Sequence, residues 1–305
     1  MAYAHSTAQS WQHLSPAERE LAYSPSSCIG GNYQPFITAY QTCSADAHTA
    51  CTQLGATWST LRYGPQPAHQ ITLCMPPVQA QAARTPTGLL VFIHGGYWQE
   101  LSAHDSLFSA TACIEHGMAF AALDYTLAPA ASVADIVAAC RKALVWLFQH
   151  AQQLGVDPSR IVVAGSSAGA HLAAMVALPG ALPDGAGGAY AVHAAVLVSG
   201  IYALEPLVGT SINTALALDT ASAQLVSPAL VPLRGFPTAL VCWGAAETDE
   251  FKSQSGEFAH ALQAVGTACE SFEVPLRNHF DVIMDLTDSS TRLGAATLSL
   301  LKAIE

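Results

Sequence analysis

Charge is scarce in this chain. Of its 305 residues only 11% are Asp, Glu, Lys or Arg, and the acidic ones outnumber the basic 22 to 11, a formal charge of −11. Phosphate binding needs clustered Lys and Arg, so nucleic acid is excluded as an expected partner. Long apolar runs are missing as well. Hydrophobic residues make up 51% of the sequence, yet they come in short runs broken by Gly and Pro. None nears the roughly 18 residues a bilayer-crossing helix needs, so no membrane partner is expected. The opening "MAYAHSTAQSWQHLSPAERE" has no basic segment followed by an apolar one, and the chain is read as cytoplasmic. The eight cysteines form no CxxC pair and are expected as free, mostly buried thiols. There is no HExxH and no clustered His/Cys set, so no metal is expected.

What is present is an alternation. After an irregular N-terminal arm, residues 1–68, short β-rich runs alternate with longer helical stretches. The runs are Ile71–Cys74, Leu89–His94, Ala119–Leu123, Ile161–Ala164, Ala194–Ser199, Ala239–Trp243 and Ser271–Val274; the helices include Val133–Leu154, Ala168–Leu178, Phe251–Val265 and Val282–Ile304. Apolar strands without polar alternation, separated by helices, predict a mostly parallel, doubly wound α/β sheet covered on both faces. Residues 69–305 are read as one core with a small cap-like insertion at about 202–236. Within the arm, "SPAERELAY" predicts a helix start, with Ser15 as cap, Pro16 in the first position and Glu18 closing a capping box.

At the junction of "RIVVAG" and "AGAHLAAMVA", Gly165-Ser166-Ser167-Ala168-Gly169 fits G-x-S-x-G. In such a strand-to-helix turn the middle serine stands exposed in a strained conformation, so Ser167 is the candidate nucleophile. A serine needs a base, a carboxylate to orient that base, and donors for the oxyanion. Beyond His171 three histidines remain: His193 opens a strand, His260 falls within a helix, and His279 in "PLRNHFDVIM" follows the last strand. His279 is therefore the expected base. For the acid, "ALVCWGAAETDEF" offers Glu247, Asp249 and Glu250, and spacing alone leaves Glu247 and Asp249 open. The donors are expected from backbone N–H groups of Gly95, Gly96 and Tyr97 in "HGGYW", joined by that of Ala168. His94 is read as a structural hydrogen-bonding residue, and Tyr97 and Trp98 as walls of the substrate pocket.

These motifs resemble the α/β-hydrolase superfamily, near its hormone-sensitive-lipase-like branch and above all the arylformamidase (kynurenine formamidase) and related esterase group. The resemblance rests on "HGGYWQ", "DYTLAP", "GSSAGAHLA", "SGIYALEPL", "ETDEF" with Gln254-Ser255 following, and "NHFD", and spans roughly residues 14 to 300. It implies a metal-free and cofactor-free serine hydrolase that cleaves short-acyl esters or aryl formamides through an acyl-enzyme. It also implies Glu247 as the acid, with Asp249 the alternative. The animal formamidases often carry Asp at this position, so Glu reaches one methylene further. Two rival classes are a non-catalytic binding protein of the same fold and a metal-dependent amidase. Nothing in the sequence marks an oligomeric state.

Overall fold

The computed structural model describes residues 10–77, 86–185, 188–189 and 191–302. In chain order the elements that position the site are α1 (Pro16–Ala22), α2 (Gln34–Gln53), β1 (Thr57–Arg62), β2 (Gln70–Met75), β3 (Thr87–Ile93), α3 (Ala110–Glu115), β4 (Ala119–Leu123) and α4 (Val133–Leu154). They continue with β5 (Val156–Ser166), α5 (Ala168–Ala177), β6 (Ala194–Val198), α6 (Asn213–Leu216), α7 (Thr220–Leu225), β7 (Thr238–Gly244), α8 (Asp249–Ala264), β8 (Cys269–Val274) and α9 (Arg292–Leu301).

The strands form one sheet in the order β1-β2-β4-β3-β5-β6-β7-β8. From β4 across to β8 every pairing is parallel, whereas β1 with β2 and β2 with β4 are antiparallel. Successive side chains of a strand point to opposite faces, so an unbroken apolar run feeds two cores. In β3, Leu89, Val91 and Ile93 pack into a core shared with Val133 and Leu144 of α4 and Leu172 of α5. Leu90 and Phe92 point the other way, into a core with Tyr40 and Cys51 of α2, Ile114 of α3 and Leu298 of α9. A doubly wound α/β sheet is the observed architecture.

Register then decides where chemistry gathers. Ile93 lies opposite Gly165, Ser166 opposite Val198, and Val198 opposite Cys242. The carboxyl ends of β3, β5, β6 and β7 are therefore level, and the segments leaving them share one edge of the sheet, where open α/β sheets place their ligands.

Three local features depart from the sequence reading or refine it. The arm supplies an edge strand, β1, that the sequence reading left irregular; "TWSTLR" has an exposed, mostly polar pattern instead of an apolar run. The single helix expected over Val282–Ile304 is broken. A 310 stretch at Val282–Thr287 stops, and Thr291 caps α9 afresh by accepting from the Gly294 N–H, while Ile304 lies outside the described residues. The expected start of α1 is present in full, with Ser15 and Glu18 exchanging cap hydrogen bonds and Pro16 in the first turn. All eight cysteines are free, and no helix among the described residues is long and apolar enough to cross a membrane.

Candidate active site

The turn at Ser167 is built from what its neighbours cannot be. Ser167 has φ 58° and ψ −122°, a conformation an L-residue holds only under surrounding constraint. A Cβ on Gly165 would lie 2.3 Å from the backbone of Gly169, and one on Gly169 would lie 2.0 Å from the Ile93 oxygen. Both glycines are therefore required for α5 to start this close to β3 and β5. Hydrogen bonds from the Ser167 N–H to the Val198 oxygen (2.9 Å) and from the His171 N–H to the Ser167 oxygen (3.1 Å) hold the turn.

Glu247 and His279 meet 32 positions apart in sequence. His279 Nδ1 lies 2.8 Å from Glu247 Oε2, with both side chains almost fully buried. The other carboxylate oxygen accepts from Ser199 Oγ and from the Gly244 N–H, both at 2.5 Å. One carboxylate is thus fully committed, and the imidazole is oriented by a partner that cannot rotate away. Ser199, with φ 50°, is a site residue that the reading of individual residues missed. Its one signal was its place in "SGIYALEPL", just after a buried strand. Gln254 fixes the same neighbourhood: its side-chain oxygen accepts from the Tyr202 and Ala203 N–H groups, and its nitrogen donates to the Ala203 oxygen.

Asp249, the alternative acid, is corrected. It opens α8 with its side chain 96% exposed and pairs with Lys252 at 3.3 Å, so it does not reach the imidazole. Its carboxylate serves the first turn of a helix, where negative charge is favourable.

The loop after β3 turns through consecutive left-handed residues, Gly96 (φ 87°), Tyr97 (φ 49°) and Trp98 (φ 61°). Gly95 passes so close that a Cβ there would sit 2.7 Å from the Ser166 oxygen and 3.3 Å from Ser167 Cβ. Gly95, Gly96 and Tyr97 border the same cavity as Ser167, and Ala168, the remaining candidate donor, is buried at the N-terminus of α5. His94 is structural. It stacks on Tyr125 at 4.2 Å and faces Asp124 at 3.5 Å, anchoring the base of the loop.

Trp98 is a second correction. It is fully buried away from the cavity, with its ring edge against His171 at 5.0 Å, so it is core and not pocket wall. Tyr97 does line the cavity; its hydroxyl donates to the Tyr23 oxygen, and burial pushes its phenol well above the ordinary value.

That cavity has a volume of about 250 Å³ and is bordered by Ser167, His279, Gly95, Gly96 and Tyr97. Five aromatic side chains, Tyr33, Tyr40, Phe92, Phe108 and Phe280, stand among its remaining walls. Tyr33 and Tyr40 come from the arm, Phe280 from beside His279, and Phe108 from the segment before α3. Tyr33 and Phe280 stack with ring centres 5.6 Å apart and 5° between planes, and the Tyr40 hydroxyl donates to the Phe280 oxygen. The 202–236 segment contributes Ile212, whose oxygen accepts from Gln99 Nε2 at 3.0 Å. No group of three or more His, Cys, Asp or Glu able to hold a metal occurs among the described residues.

The BD-FAE family model matches residues 76–198. A kynurenine formamidase of Danio rerio is 29% identical over 304 residues, covering 95% of this chain and 98% of the relative. One from Drosophila melanogaster is 30% identical over 208 residues, covering 64% of this chain and 67% of the relative. Among solved structures, a thermophilic esterase from Thermogutta terrifontis superposes with a TM-score of 0.63 at 25% identity, covering 80% of this chain and 89% of the esterase. The chain belongs to the α/β-hydrolase superfamily, in its kynurenine formamidase-like group of serine hydrolases of carboxylesterase and arylformamidase type.

Proposed function

We propose that this hydrolase cleaves aryl formamides and short-acyl aryl esters through an acyl-enzyme on Ser167. Ser167 Oγ attacks the carbonyl carbon while His279 takes its proton, and the imidazolium that forms lies against the Glu247 carboxylate. The tetrahedral oxyanion rests on N–H groups of the Gly95–Tyr97 loop and Ala168. His279 then gives its proton to the leaving nitrogen or oxygen and activates the water that releases the acid. The observation that carries this reading is the strained serine beside the same cavity as an imidazole tied at 2.8 Å to a buried carboxylate. Relatives named kynurenine formamidase that match nearly the whole chain favour an aryl amine as one leaving group, and the aromatic walls suit it.

In this reading residues 1–68 and the segment at about 202–236 act as lid and cap over a core of residues 69–305. Support comes from Ser24, Pro25, Tyr33, Ile37, Tyr40 and Ile212, which border the cavity from those two segments. Free cysteines throughout suit a reducing compartment, and we place the enzyme in the cytoplasm.

The test is kcat/KM for N-formyl-L-kynurenine and p-nitrophenyl acetate, in wild type and Ser167→Ala. Formamide efficiency above about 10⁴ M⁻¹s⁻¹ is expected, falling in the variant by a factor of roughly 10⁴ or more. Activity that survives in Ser167→Ala overturns the mechanism.

A further inference from the structure

Charge inside the cavity is one-sided. Among the described residues bordering it, none is Lys or Arg; Glu100 is the one carboxylate, and His279 is the candidate base. Glu100 sits where the oxyanion loop ends. Its N–H donates to the Gly96 oxygen at 3.0 Å, and its own carbonyl packs so near Gly96 that a Cβ there would lie 2.5 Å away. With Gly96 at φ 87° this turn is closed, so the Glu100 backbone is fixed relative to the loop beside Ser167. The side chain is fixed from the other side. The Tyr33 hydroxyl donates to the two carboxylate oxygens at 3.2 and 3.3 Å, and the Tyr33 ring is itself held flat against Phe280. Burial and the nearby negative charge both push the Tyr33 phenol upward, so it remains a donor to the carboxylate.

A solvent-exposed carboxylate at the mouth of a cavity with no Lys or Arg among its described walls is a receptor for an organic cation. The carboxylate supplies charge and hydrogen-bond acceptors. An anionic substrate meets the opposite situation, with a like charge and no basic group among the described walls.

We propose that Glu100, presented by Tyr33 at the mouth of the cavity, is a specificity residue that selects substrates carrying an ammonium group remote from the scissile carbonyl and disfavours those whose only remote charge is a carboxylate. The inference rests on the serine-hydrolase reading above. Glu100 acts on binding, so its effect falls on KM and leaves the chemistry of the serine to other groups.

Three acetates test it: 4-methylphenyl, 4-(aminomethyl)phenyl and 4-(carboxymethyl)phenyl acetate, each rate divided by that of the same ester's hydroxide-catalysed hydrolysis, since the ammonium-bearing phenol is the better leaving group. Wild type is expected to prefer the cation over the neutral ester and the neutral over the anion, with the differences in KM. Glu100→Gln lowers the cation-to-neutral ratio of kcat/KM by roughly fivefold, as for a partly exposed ion pair. Glu100→Lys reverses the order of cation and anion. In wild type alone, raising the salt from 20 mM to about 0.5 M compresses the same ratio. A ratio indifferent to both substitutions and to salt, while Ser167→Ala abolishes all three hydrolyses, overturns this inference and leaves the mechanism standing. Hydrolysis that persists in Ser167→Ala overturns the mechanism and this inference with it.

Discussion

The floor and the roof of the cavity are built on different principles. The floor is backbone: Ser167, the Gly95–Tyr97 loop, Ser199 and Glu247 leave neighbouring strands whose ends are level by register, and glycines let them approach to distances no side chain permits. The roof is side chains. Tyr33 and Tyr40 of the arm meet Phe280, and Ile212 comes from a third segment; the contacts are ring stacks and single hydrogen bonds between segments far apart in sequence. A floor of this kind tolerates almost no change, because a displaced backbone takes the whole turn with it. A roof of this kind tolerates substitution in proportion to the area lost. Reaction type belongs to the floor and substrate choice to the roof.

The sharpest way to break the contrast is Gly169→Ala. Its new methyl would overlap the Ile93 and His94 backbone at 2.0 and 2.7 Å, neither of which can rotate aside. A loss of about 4 kcal/mol of stability or failure to fold is expected, measured by urea denaturation. A near-neutral result would show that α5 can slide along the sheet, and the rigid floor would be refuted.

The next effect probes the joint between the two. His171, on the helix after Ser167, is fully buried, with Nε2 2.6 Å from the Val226 oxygen in the 202–236 segment. Its Nδ1 has no hydrogen-bond partner among the described residues, and desolvation lowers its pKa from 6.5 to about 4, outweighing the carbonyl's upward pull. In the unfolded chain the imidazole takes up a proton near pH 6.5; folded, it resists to about pH 4. The unfolded state therefore binds more protons across that window. The stability present above pH 6.5 is lost as pH falls toward 4. Between pH 7 and pH 4.5 wild type should lose on the order of 2 kcal/mol more than His171→Gln, which keeps a donor for Val226 but does not titrate. Equal losses would mean that this joint is not what couples floor to roof in acid.

The smallest effect belongs to the roof. Phe280→Ala removes the stacks on Tyr33 and Phe36, worth about 1 kcal/mol each at most, and should raise KM for aryl substrates severalfold while kcat changes less. Steady-state kinetics with p-nitrophenyl acetate measure it. A collapse of kcat instead would place Phe280 in the floor, through its neighbour His279.

The same division explains what could be read in advance. The candidates Ser167 and His279 were legible because a buried apolar run, glycines and a helix start mark the first and the end of the last strand marks the second, whereas spacing alone left Glu247 and Asp249 open. The parallel sheet was legible from the same apolar runs. Trp98 was misread because adjacency to Tyr97 says nothing about which side of a left-handed turn a ring takes, and here the chain rotates it onto His171 in the core. The walls from Tyr33, Tyr40 and Phe280 were invisible. Their partners lie more than two hundred residues apart, and no periodicity records such a pairing. Strand β1 was missed because an exposed edge lacks the apolar signature that burial imposes.

The span of the roof contacts has a consequence in time. Tyr23 reaches Glu250 across 227 positions, and Tyr40 reaches Phe280 across 240. The arm is made before either partner, and although Tyr40 already has Phe108 to pack on, the arm's closure over the cavity waits until Phe280 has emerged from the exit tunnel. Until then Tyr33 lacks the ring it stacks on, and this wall of the cavity is incomplete. The cavity is therefore completed late, and a stall in translation before Phe280 yields a sheet with its elbow formed and the wall above it unfinished.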